Sequence, residues 1–207
     1  MPLDSPFPLS SGARHLFDEI RAASPCPSLV PDGAGTHAAT AVPKAIVDEI
    51  RKVSDEDLLG TAPLDPTMAA AVRAGLLLRA DRLEKSHTIS QGIDTPTGSY
   101  WHGIMHRREP DYGNSKYWFR RTGPHPLFQR LAEPDGSQRE IEGASYPDTG
   151  GFGEIVESGL WDPFSFVDLC EACARGSRPE LREELELLQE REMKLLLAHC
   201  FEAATTR

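Results

Sequence analysis

Two histidines stand four residues apart in "WHGIMH", at His102 and His106, and a third, His87, lies upstream on an apolar stripe. Imidazoles at i and i+4 share a helix face and both reach one ion. A carboxylate with two or three imidazoles suits zinc, iron, manganese or nickel rather than calcium. Glu84, three residues before His87, is therefore the carboxylate expected to join His87, His102 and His106 as a metal ligand. Such a set would take a divalent transition metal, zinc, iron or manganese, as its cofactor. Glu109 and Asp94 are spare carboxylates, and either suits a ligand, a partner to a ligand, or the general base of a metal-assisted hydrolysis. "HGIMH" lacks the glutamate of H-E-x-x-H, so a zinc-protease mechanism is not expected. Two blander arrangements use the same residues: a metal-free cluster of buried, hydrogen-bonded histidines, or exposed and unrelated ones.

Cationic charge crowds the same region. Between residues 100 and 130 there are six Arg or Lys against two carboxylates, in a chain of net charge −10. Locally concentrated cation attracts a small anionic molecule or an acidic protein segment. Arg offers planar, bidentate recognition of carboxylate or phosphate. Arg107, Arg108, Asn114, Lys116, Tyr117, Arg120 and Arg121 are the expected ligand-binding residues, with the aromatics stacking on a ring or packing under guanidiniums. Internal ion pairs, including pairs with the acidic C-terminal helix, would use up the same cations.

The elements that must position these groups read as helices. Asp65-Pro66 is a cap followed by proline at the first helical position. From there to about Gln91 no residue breaks the pattern except a tolerated Gly75, and Ala69, Val72, Leu76, Ala80, Leu83 and His87 form one stripe. "DTPTGS" turns the chain, with Asp94, Thr95 and Thr97 as candidate caps, and a second helix runs from about Thr97 to Glu109. Pro110 breaks it, and Asp111 caps a third helix from Tyr112 to Thr122. The short turn makes the first two antiparallel, which puts His87 level with His102, and Glu84 level with His106.

The stretch 97–126 resembles one tetratricopeptide-like helical unit: Gly103 is the small residue of the first helix, Ser115 and Phe119 the small and aromatic residues of the second, and Pro126 the closing proline. Pro110 stands where that motif has glycine, and His106 where it has an aromatic. The resemblance implies a helical hairpin and a non-catalytic interaction module, yet no second copy follows at the ~34-residue period that a solenoid needs. "HRREPDY" and "KYWFRR" also resemble the words of a family of uncharacterised proteins, which implies a shared fold and site but no activity.

Elsewhere, helices are expected over 10–23, in "PKAIVDEIRKV" and "SDEDLLG", in "HPLFQRLA", after Asp162-Pro163, and from about Pro179 to Ala203. The charge-alternating "ELREELELLQEREMK" reads as a solvated face. Residues 24–43 read as an irregular connection and 133–154 as a long polar loop. No segment alternates with period two. The expected fold is all-α, a single domain of antiparallel helical hairpins. Cys170 and Cys173 form a lone C-x-x-C on an apolar helix face and are expected as buried thiols. The acidic balance argues against nucleic acid and anionic membrane surfaces as partners. No long apolar run or basic-then-apolar start is seen, so a soluble, cytoplasmic protein is expected. G-x-S-x-G, P-loop and Rossmann glycine signatures are lacking.

Overall fold

The computed structural model describes residues 10–24, 26–30, 42–133 and 150–206. Most of the 24–43 connection and of the 133–154 loop lies outside the described residues. Eleven α-helices occur among those described: α1 Ser11–Ala23, α2 Lys44–Lys52, α3 Asp55–Leu59, α4 Pro66–Arg79, α5 Leu83–Ser90, α6 Pro96–Arg108, α7 Tyr112–Thr122, α8 Leu127–Ala132, α9 Gly151–Ile155, α10 Pro163–Ala174 and α11 Arg182–Thr205. A two-residue antiparallel hairpin pairs Val156 with Trp161 and Glu157 with Leu160, a strand pair too short to leave a period-two signal. The fold is all-α. No described helix is long and apolar enough to cross a membrane.

Helix starts follow local chemistry. The side chains of Ser10, Ser54, Asp65, Thr95, Asp111 and Asp162 each accept a backbone N–H from the first turn they precede. Gly60 closes α3 in the left-handed conformation at φ 71°.

The helix expected from Pro66 to Gln91 is in fact two. It ends at Ala80, Asp81 takes φ 57°, and α5 folds back on α4 as a hairpin. The Ser86 hydroxyl donates to the Ala74 carbonyl at 2.9 Å across that hairpin. The break has no glycine or proline behind it. The Arg82 amide closes α4 by donating to the Leu77 carbonyl at 2.8 Å, and the Arg108 guanidinium holds the reversal by donating to the Leu78 carbonyl at 2.9 Å, to the Asp81 carboxylate and to the Ser28 carbonyl at 3.2 Å. Aspartate tolerates the left-handed region better than most residues, and here its ion pair holds it there.

α4, α6 and α11 make the centre. α6 is buried at every position from Thr97 to Arg108. Gly75 is more than tolerated: a Cβ there would stand 2.5 Å from Cζ2 of Trp101. The Trp101 indole N–H points at Cys200 Sγ, 3.3 Å away, which ties α6 to α11. Gly103 accepts the Phe119 ring, and the Ser115 hydroxyl donates to the Gly103 carbonyl at 2.8 Å, so these three residues meet in the α6/α7 hairpin. Cys170 and Cys173 are buried free thiols.

α11 departs from its expected solvated face. Gln189 to Lys194 are all buried. Glu190 pairs with Arg79 at 2.6 Å and with Lys194 at 3.1 Å, and Glu192 with Arg107 at 2.5 Å. Arg191 donates to the carbonyls of Leu131 at 2.9 Å and Arg130 at 3.0 Å, closing the end of α8. The alternating charges are interior because each finds a partner. Residues 151–154, expected as loop, are helical for a similar reason: the Glu184 carboxylate accepts the Gly151 and Phe152 amides at 3.1 and 2.9 Å, capping α9 from across the fold.

The Arg107–Glu192 pair has no side-chain exposure on either partner. Removing one partner strands a buried charge, which costs about 3–5 kcal/mol. Arg107→Ala is therefore expected to lower unfolding free energy in urea by about that amount, and the double change Arg107→Met with Glu192→Leu to recover most of it. Additive losses in the double variant would contradict this account.

Candidate metal centre

α5 and α6 are joined by the short Gln91–Thr95 turn and pack side by side. His87 comes from α5, and His102 and His106 from successive turns of α6. Ring centroids are 4.5 Å apart for His87 and His102, 5.5 Å for His87 and His106, and 4.9 Å for His102 and His106. One nitrogen from each imidazole lies within 4.8 Å of the other two. α6 is central, so His102 and His106 are buried, while His87 is partly exposed.

α7 covers the pair from the other side, again at one-turn spacing. The Trp118 indole stacks on His102, with centroids 3.8 Å apart and planes 14° from parallel. One turn earlier, the Asn114 amide nitrogen lies 3.0 Å from Nε2 of His106. The opposite nitrogen, Nδ1 of His106, is 3.2 Å from the Glu109 carboxylate. Nδ1 of His102 is buried with no hydrogen-bond partner.

Burial pushes the His102 imidazole down to about 3, helped by His87, His106 and Arg121. Burial also lowers His106, against the pull of Glu109. Both rings are neutral at neutral pH, the protonation state that ligates metal.

The other expected site residues separate into groups. Glu84 is exposed on the first turn of α5 and outside the histidine cluster. Three residues along a helix leave a side chain about 60° short of a full turn, enough to aim it outward. Glu109 is engaged with His106. Asp94 has a side chain 95% exposed and meets Arg121 at 3.3 Å. Arg107 and Arg108 follow His106 directly, yet both guanidiniums point into the interior and hold the ion pairs described above. Lys116 pairs with Asp168 on α10. Arg121 lies over Trp118, its guanidinium carbon 5.1 Å from the ring centroid. Tyr117 and Arg120 are exposed on the outer face of α7, with the Tyr117 ring edge-on to Trp118 at 5.5 Å. Of the seven expected ligand-binding residues, Asn114 touches a histidine directly and Arg121 reaches the ring that stacks on His102.

A second histidine pair was not foreseen. His125 and His199 have centroids 5.0 Å apart. His125 Nδ1 accepts the Leu127 amide at 3.3 Å, and Nε2 meets the Thr97 hydroxyl at 3.3 Å, so both nitrogens are used in holding α6 to the start of α8. Nothing local signals it, because the two residues are far apart in the chain. Burial, with His199 adding to it, takes His125 down to about 4.

Comparison with protein-family models, with curated proteins and with solved structures finds no match.

His102, His106, His125 and His199 all have lowered proton affinity in the fold. As pH falls below about 6.5, the unfolded chain takes up protons that the folded chain refuses, and stability falls by at most about 1.4 kcal/mol per pH unit for a group whose folded value lies far below, as for His102 and His125. For His125 the loss runs from about 6.5 down to its folded value near 4. The urea midpoint should decline between pH 7 and pH 4.5. His125→Asn, which keeps an acceptor for the Leu127 amide, should make the decline shallower. A midpoint independent of pH over that range would refute the assignment.

Proposed function

We propose that the protein binds one divalent transition metal ion through His87, His102 and His106, and presents it to a small anionic ligand. The observation that carries this reading is the convergence of three imidazole nitrogens within 4.8 Å, on two helices. The His106–Glu109 contact supports it further. Metal-bound histidines commonly donate their second N–H to a carboxylate, which fixes the tautomer and raises ligand basicity. In this reading Glu109 orients His106 rather than serving as a general base.

Three protein ligands leave a position open for water or substrate, the pattern of catalytic rather than structural zinc sites. An ion there polarises a bound oxygen and acidifies bound water, the chemistry of metal-assisted hydrolysis. Arg121, over the Trp118 ring, is paired with the exposed Asp94, so the preference for an anionic partner rests on the charge of the ion itself. The interaction-module alternative draws support from the exposed Tyr117 and Arg120 on α7. It is the weaker reading, since Lys116 and Arg121 already have carboxylate partners.

Protein purified without a histidine tag should bind zinc, cobalt(II) or manganese at one equivalent by calorimetry, with raised thermal stability. His102→Ala should abolish this binding, and Glu109→Ala should weaken it by about 10–100-fold. Failure of all three metals to bind, or equal affinity in His102→Ala, would sink the proposal.

A further inference from the structure

A metal site needs the planes of its imidazoles fixed as well as their positions. The last torsion of a histidine is broad, so the side chain does not fix its own ring plane. A hydrogen bond at the second ring nitrogen commonly does so instead. His106 has such a partner in Glu109. His102 has none: it is buried, and its Nδ1 meets no hydrogen-bonding atom. We infer that Trp118 is the positioning residue for His102, its indole face doing for this ligand what the Glu109 carboxylate does for His106. This inference rests on the three-histidine reading above.

The geometry around His102 carries it. Indole and imidazole lie 14° from parallel with centroids 3.8 Å apart, closer than any pair of rings among the three histidines. At that separation the imidazole cannot tilt about its last torsion without striking the indole. A half-turn leaves the plane unchanged, so the stack holds the ring whichever nitrogen faces the ion. Trp118 meets a ring face and not a nitrogen. It therefore takes up no coordination position, and the place for water or substrate stays open.

The indole is itself held. Phe119, the residue after Trp118, packs on Gly103, the residue after His102, where a Cβ would stand 3.0 Å from Cε2 of the ring. The Ser115 hydroxyl donates to the Gly103 carbonyl at 2.8 Å. Trp118 and Phe119 thus lie on His102 and Gly103 in step, and α7 cannot slide along α6 without losing both contacts.

The contact also strengthens when an ion binds. A metal draws electron density from the imidazole and leaves it partly cationic. The face of an indole is electron-rich and is the best aromatic surface for a cation. An interaction that is stronger in the bound state than in the free one adds affinity, whereas one that is equal in both adds none.

Cobalt(II) and zinc titrations of wild type, Trp118→Phe and Trp118→Leu test this. The readouts are calorimetry and the visible bands of bound cobalt, with circular dichroism of the metal-free proteins as the folding control. Expected are binding at one equivalent in wild type, roughly tenfold weaker binding with altered bands in Trp118→Leu, and affinity and bands close to wild type in Trp118→Phe. Wild-type tryptophan fluorescence should change on adding zinc, and Trp118→Phe, which keeps Trp101 and Trp161, should lose most of that change. If Trp118→Leu binds cobalt as tightly as wild type with the same bands, or if Phe and Leu lose affinity equally, the inference falls and the three-histidine reading stands. Should Trp118→Leu fail to fold, an undiminished zinc response in Trp118→Phe overturns the inference. If wild type binds no cobalt, zinc or manganese, the reading falls and takes the inference with it.

Discussion

The guanidinium of Arg108 holds three parts of the chain at once. It bonds the last turn of α4 at Leu78, the reversal at Asp81 and the irregular segment at Ser28. With the reversal fixed, α5 lies against α4 and beside α6, and His87 is delivered to His102 and His106. Arg108 is two residues beyond His106. The helix that carries two histidines on one face thus carries, on another, the charge that brings the third.

α6 extracts a price in electrostatics. A helix buried along its whole core-facing length has no solvent to satisfy its polar groups, and Arg107, Arg108, His102 and His106 all lie on it. The two arginines are met by carboxylates from α11 and from the α4–α5 reversal. The histidines are met instead by loss of charge, by Trp118 and by hydrogen bonds to Glu109 and Asn114. The same burial that demands ion pairs on one side yields neutral imidazoles on the other.

What could be read from the sequence was local. Asp65, Asp111 and Asp162 announce helix starts because a cap acts within three residues. The histidine convergence was legible because it depends only on the short 91–95 turn and on helical rise, and it survives the error over the length of the preceding helix. The misread features were those decided across the chain. Nothing near Asp81 hints at a reversal held by Arg108 from another helix. Nothing in "ELELLQEREMK" says that Glu190 and Glu192 will meet Arg79 and Arg107 and so become interior. Glu184 turns a glycine-rich segment into α9 from more than thirty residues away. Charged residues have no fixed inside or outside preference once a partner exists, and sequence periodicity does not show the partner.

The contact of Trp101 with Gly75 bears on how the histidine site deforms. A broad ring seated on a residue without a side chain works as a dowel: α6 has little freedom to slide or roll against α4. His102 is the next residue along, so its depth is set from behind, by packing that never touches the imidazole. The nitrogens of a closed site stand nearer together than the 4.8 Å spread found here. If these histidines hold an ion, the approach would have to come from the eight-residue α5, whose His87 is partly exposed, rather than from α6.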